Sequence, residues 1–272
     1  MTEDQISLLS QLAIRAGQEI LNIYAEPFEV ESKTDGSPVT KADAAAEKII
    51  LAGLADAFPD IPVVAEEAVE AGNLPAVGDV YFLVDPLDGT KEFLKKNGEF
   101  TVNIALVDAG VPVFGVVYAP VLGEIYWGSA QGAFAGHVQN TNNIEDVRAI
   151  AVNAPRQDLT VVASRSHMSD ETAAFMHKLQ VSEIVSVGSS LKLCWVAAGK
   201  ADIYPRLAPT MQWDIAAGDA VVRAAGGAVV LADTGSDFVY AMPENATKDD
   251  LRNSHFIAVS ARELLPGFAP VL

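Results

Sequence analysis

The feature that most constrains this chain is a change of hydrophobic period near residue 62. Before it, Ile6, Leu9, Ala13, Ala16, Ile20 and Ile23 recur at alternating spacings of three and four, which lays one apolar stripe along a helix. A polar, turn-rich piece, ESKTDGSPVT, follows, and Thr40 then opens a second helical pattern, KADAAAEKIILAGLADAF, halted by Pro59. From residue 62 onward PVVA, VYFLVD, TVNIALV, VFGVVYAP and EIYWGSA read as strands separated by Gly, Asp, Asn and Pro. Connections this short join antiparallel neighbours. Two helices followed by an antiparallel sheet predict an α+β fold.

The stretch GHVQNTNNIEDVRAIAVN, residues 136–153, is polar and irregular and is the best boundary candidate, dividing the chain into 1–150 and 151–272. The second part alternates: TVVAS as strand, a helix near 170–180, EIVSV as strand, SSLKLCWVAAG as helix, ADIYP as strand, WDIAAGDAVVRAAGG as helix, then AVVLA and FIAVS as strands. Two sheets with helices in one body are expected. The sequence shows neither an internal repeat nor a low-complexity tract.

With 272 residues, 50% of them hydrophobic, the chain can bury a substantial core. Its formal charge of −18 would repel nucleic acid and anionic lipid over most of the surface. An anionic small substrate would require local cations in one cleft. A single cysteine, Cys194, precludes an intrachain disulfide and fits a reducing cytoplasm; its apolar neighbours mark it as a buried small hydrophobe. The N-terminal stretch starts acidic, unlike a secretion signal, and no segment approaches the roughly 20 apolar residues of a membrane span. A cytoplasmic protein is expected, with peripheral contact at the inner face of the membrane left open.

Three acidic spots stand at strand or helix edges. Glu66 and Glu67 follow an apolar strand in VVAEEAVE, Asp85 and Asp88 follow another in VDPLDGT, and Asp214 begins a helix in QWDIAAGD. Each has a local explanation: a solvated loop, a turn made of Asp, Pro and Gly, and a first-turn charge favoured by the helix dipole. Asp43 likewise fits a capping box with Thr40. Taken together they allow a second reading, because hard divalent cations need several carboxylates from distinct segments plus a carbonyl, water and substrate oxygens. The proline in DPLDG bends the chain so that Asp85, the Leu87 carbonyl and Asp88 can face one locus. If Gly89 and Thr90 begin a helix, their N–H groups would cradle a phosphate.

DPLDGT, with AEE nineteen residues upstream and WDIAAGDAVVRAAGG near the C-terminal side, resembles the paired signature of the inositol monophosphatase-like, Mg2+-dependent, lithium-sensitive phosphatases. The likeness spans roughly residues 5–260. DPLDGTKEFLKKNGEFTVNIAL, ASRSH and VGSSLKLCWVAAGKADIYPRLAPTMQWD are more similar to its 3′(2′),5′-bisphosphate nucleotidase branch than to the inositol phosphatases. The resemblance implies a layered α/β/α/β/α sandwich, as in fructose-1,6-bisphosphatase, with an antiparallel first sheet and a mixed second sheet. It implies a first metal on Glu66, Asp85 and the Leu87 carbonyl, and a second on Asp85, Asp88 and Asp214. Thr90 would hold the attacking water, paired with Asp43.

The same resemblance implies a second anion site at Lys192 and Arg206, with Gly89, Ser164, His167, Ser189 and Tyr204 also around the nucleotide. It implies Mg2+ as cofactor and a monomer or homodimer acting on a small nucleotide bisphosphate rather than a nucleic acid polymer. Hydrolysis of the 3′-phosphate of 3′-phosphoadenosine 5′-phosphate would clear a by-product of sulfate assimilation. An inositol- or sugar-bisphosphate-type phosphatase is the competing reading within the class. A noncatalytic metal-binding interaction module is the competitor outside it.

Overall fold

The computed structural model describes residues 1–26, 30–32, 38–139, 143–163, 170–179 and 181–265. Helix α1 (Glu3–Tyr24) starts at a capping box in which Thr2 and Gln5 bond each other's backbone N–H groups. The stripe residues Ile6, Leu9, Ala13, Ala16 and Ile20 are all buried. Each fully buried Leu or Ile side chain contributes roughly 1.5–3 kcal/mol, so packing holds this helix in place more than propensity does. A short hairpin of β1 (Val30–Ser32) and β2 (Pro38–Thr40) leads into α2 (Lys41–Ala57).

The first large sheet comprises β3 (Val63–Ala65), β4 (Val80–Asp88), β5 (Thr101–Asp108), β6 (Val111–Ala119), β7 (Glu124–Ser129), β8 (Gly132–Val138) and β9 (Ile144–Ile150), in that spatial order. Short helices α3 (Glu66–Glu70) and α4 (Thr90–Leu94) sit in the β3–β4 and β4–β5 connections. From β4 to β9 the pairing is antiparallel as expected, but β3 joins β4 in parallel. The sheet is therefore mixed. The reason is the crossover through α3, which carries the chain back before β4 begins.

The supposedly irregular stretch at 136–153 instead holds the end of β8 and all of β9. Its polarity reflects position: β9 is the edge strand, mostly exposed, and Asp146 has a left-handed φ of 52°. A charged, kinked edge discourages pairing with another chain.

The second sheet holds β10 (Thr160–Ala163), β11 (Glu183–Ser186), β12 (Ile203–Arg206), β13 (Ala228–Leu231) and β14 (Phe256–Val259), in the order β11-β10-β12-β14-β13. It is mixed, with β10 parallel to β11 and β12, and β14 antiparallel to β12 and β13. Helix α5 (Asp170–Lys178) follows β10, α6 (Leu191–Ala197) precedes β12, and α7 (Gln212–Ala224) precedes β13.

Alternation along β4 separates the layers. Phe82 and Val84 pack with Leu9, Ile20 and Ile50 of α1 and α2, whereas Tyr81 and Leu83 pack with α6 and α7. The latter core continues to Val162, Tyr204, Val229 and Phe256 of the second sheet, whose other face packs on Met176 of α5. The layers run α/β/α/β/α. Among the described residues no helix is long and apolar enough to cross a membrane.

Candidate active site

Strand β4 is buried on both faces from Tyr81 to Leu87, and its ladder with β5 breaks at the end: Asp85 pairs with Asn103, but Asp88 pairs with Thr101. One extra residue is inserted there. Pro86 has no N–H to offer the ladder, and the Leu87 N–H turns instead to Asp85 Oδ1 at 2.9 Å. Gly89 then takes a left-handed conformation (φ 97°, ψ 44°) and starts α4. A Cβ on it would lie 3.3 Å from the Ser189 Cβ and 3.4 Å from the Phe100 Cα, so glycine suits both the turn and the close approach.

This bulge brings the expected acids toward one another. Glu66 leaves the end of β3, where the neighbouring Glu67 N–H is held by Glu47 Oε2 of α2 at 2.8 Å. Asp214 stands in the first turn of α7, its Oδ2 taking the Met211 N–H at 2.8 Å. Burial, then the charges of Glu66, Asp88 and Asp214, push the Asp85 carboxyl well above the usual carboxylate range. Asp214 is raised for the same reasons, burial first and then Asp88 and Glu66.

Asp85 and Asp214 are thus held back from ionising by burial and by the acids around them, an arrangement that a divalent cation relieves. Among the described residues no three His, Cys, Asp or Glu side chains form a ready cage for a metal ion. The donor set fits a hard cation that completes its shell with a carbonyl, water and substrate oxygens.

The Thr90 hydroxyl points to Asp43 Oδ1 at 3.5 Å, and Asp43 is buried in α2. A cleft of about 110 Å³ opens at the acids, lined by Asp88, Asp214, Ser189, Lys192, Tyr204 and Arg206 among others. Lys192 is buried, its Nζ donating to the Ser189 carbonyl at 2.6 Å and lying 5.5 Å from the centre of the Tyr204 ring. Burial lowers its ammonium to about 8, against the pull of Asp88. Arg206 donates through Nη2 to the Pro209 carbonyl at 3.0 Å and interacts with the Tyr204 side chain, while its buried Nε has no partner among the described residues. Ser189 holds a left-handed φ of 45°, and its buried hydroxyl also has no partner among the described residues. Buried donors on a cleft wall with no partner among the described residues suit an anionic guest.

Glu66, Asp85, Asp88 and Asp214 therefore act on one another, Thr90 meets Asp43, and Asp88 and Asp214 share one cleft with Ser189, Lys192, Tyr204 and Arg206. Ser164 and His167 lie outside the described residues. Cys194 is buried, as expected, and Trp213 is a buried packing residue beside Asp214. The sequence reading passed over Ser190, Asn103, Glu47 and Glu92. Glu92 lines the cleft, and burial raises its carboxyl. Asn103, a lone amide inside the apolar strand TVNIALV, and Glu47, a charge among apolar helix residues, were the available signals.

The chain matches the family model described as the inositol monophosphatase family over residues 2–272. It is 48% identical to the 3′(2′),5′-bisphosphate nucleotidase CysQ of Salmonella typhimurium, over 80% of this chain and 87% of that protein. The protein of the same name from Buchnera aphidicola is 43% identical over 81% of this chain and 82% of its own length. Among solved structures, CysQ from Bacteroides thetaiotaomicron aligns with a TM-score of 0.76 and 39% identity, covering 95% of this chain and 98% of that one. The extragenic suppressor protein SuhB from Bartonella henselae aligns with a TM-score of 0.75 and 29% identity, covering 96% of each.

Proposed function

Because the chain belongs to the inositol monophosphatase family, we propose that it is a Mg2+-dependent phosphomonoesterase that converts 3′-phosphoadenosine 5′-phosphate and water to AMP and phosphate. The observation that carries this reading is the junction of two opposite fields. A cluster of carboxylates, in which Asp85 and Asp214 are raised, adjoins a cleft that holds the buried Lys192 and the half-buried Arg206. Such a junction matches a substrate with one phosphate to cleave and a second to anchor. The high identity to proteins named bisphosphate nucleotidases supports the same choice.

In this reading Glu66, Asp85, Asp88, Asp214 and the Leu87 carbonyl would hold the metal. Bound Mg2+ supplies Lewis acidity to the phosphoryl oxygens and stabilises charge on the leaving oxygen. The Thr90 hydroxyl donates to Asp43 and offers its lone pair to a proton of the attacking water, which orients that water in line. Lys192, Arg206 and the Ser189 hydroxyl bind the 5′-phosphate, the guanidinium fork matching its oxygens. Gly89 lets the chain approach the 3′-phosphate closely. Tyr204 walls the cleft beneath Lys192. Clearance of a sulfate-assimilation by-product in the cytoplasm fits a protein with one buried cysteine.

The test is kcat/KM for the nucleotide against that for inositol 1-phosphate, with Mg2+ and with or without Li+. A clear preference for the nucleotide and inhibition by Li+ are expected. Equal or inverted preference would reject the nucleotide assignment.

A further inference from the structure

The geometry points to Ser190 as a positioning residue that keeps Asp88 and the first turn of α7 in register for metal binding, with Asn103 holding Ser190 in turn. This rests on the functional reading above. Both the N–H and the hydroxyl of Ser190 meet the same carboxylate oxygen, Asp88 Oδ2, at 2.6 and 2.7 Å. That fixes the rotation of the carboxylate and leaves Asp88 Oδ1 outside this contact.

The Ser190 hydroxyl also stands 2.5 Å from the backbone carbonyl of Asp214. Its single proton is therefore shared between acceptors on two elements, the end of β4 and the start of α7. Its lone pair receives the Asn103 Nδ2–H at 2.9 Å from strand β5. Ser190 and Asn103 are both buried, at 3% and 1% exposure, so water does not replace these bonds at low cost.

The position is informative as well. Ser190 immediately follows Ser189, whose carbonyl receives the Lys192 ammonium and whose side chain lines the cleft. One turn thus carries both the brace on the acids and the wall of the anion pocket. Ser190 itself acts through the carboxylates. Residues that orient metal ligands typically matter by about 10- to 100-fold in metal affinity.

The experiment is calorimetric titration of the full chain with Mg2+ alone, without substrate, for the wild type, Ser190→Ala, Ser190→Thr, Asn103→Ala and the double variant with both alanines. Ser190→Ala should bind Mg2+ at least roughly 10-fold more weakly. Ser190→Thr, which restores the hydroxyl, should recover most of that loss. Asn103→Ala should show a smaller loss, and the double variant should lose less than the product of the single effects.

Melting temperatures measured alongside separate positioning from folding. Lower melting temperatures with wild-type Mg2+ affinity in both single variants would overturn the inference. Should Ser190→Ala fail to fold, undiminished Mg2+ affinity in Asn103→Ala would overturn it equally. A wild type that binds no Mg2+ would instead bring down the functional reading, and this inference with it.

Discussion

Burial brings the Lys192 ammonium down to about 8, with Asp88 opposing and Arg206 reinforcing the shift. Below that pH the side chain is a cation in the cleft; above it, a neutral amine that no longer attracts a phosphate. The kcat/KM of the wild type at saturating Mg2+ should therefore fall as pH rises through about 8. Lys192→Met should start roughly 10- to 100-fold lower, since a charge-assisted bond is worth about 1.5–3 kcal/mol, and should show no such fall. Matching pH profiles for the two proteins would remove Lys192 from the anion site. Ser189 makes the complementary point: its left-handed backbone, and a hydroxyl with no partner among the described residues, are costs that a bound anion would offset.

The site depends on where α7 lies. Its first turn supplies Asp214, and the body of the helix rests on the first sheet with almost no side-chain spacer. A Cβ at Gly115 of β6 would stand 2.7 Å from the Ala217 Cα, and one at Gly128 of β7 2.7 Å from the Val221 Cα. Gly115→Ala should push α7 away from the sheet and carry Asp214 with it. A stability loss of about 1–3 kcal/mol is expected, together with a lower rate. Thermal melting and steady-state kinetics check this. A variant that retains both wild-type values would show that this contact does not set the helix position.

At the scale of the molecule, the carboxylate cluster sets folding against function. The Asp85 carboxyl has a raised pKa in the folded protein, so its contribution to stability is present at low pH and is lost as pH rises through that value. The metal-free protein should accordingly melt at lower temperature as pH rises from the ordinary carboxylate range toward neutrality. Mg2+ should restore the loss, because a ligand that binds only the folded state stabilises it. Asp85→Asn should melt higher than the metal-free wild type at neutral pH, gain less from Mg2+, and lose activity by orders of magnitude. Calorimetric melting with and without Mg2+ decides it; a variant that melts lower than the metal-free wild type would argue against repulsion within the cluster.

The sequence by itself determined most of the long elements, their order and the words of the site. A stripe such as Ile6 to Ile23 and an alternation such as VYFLVD register which face of the local backbone is buried, and DPLDGT registers a turn through its own steric demands. Tertiary structure decided what those local patterns do not encode. The parallel seat of β3 follows from a crossover, and the strand character of β9 was hidden because an edge needs little apolar surface. The braces on the acids join residues far apart in the chain: Thr90 reaches Asp43 across 47 positions, Asn103 reaches Ser190 across 87, and Ser190 reaches Asp88 across 102. Such bonds form only when the layers pack, since low dielectric and excluded water give a buried serine or asparagine its leverage, and neither condition is written in the residues on either side of it.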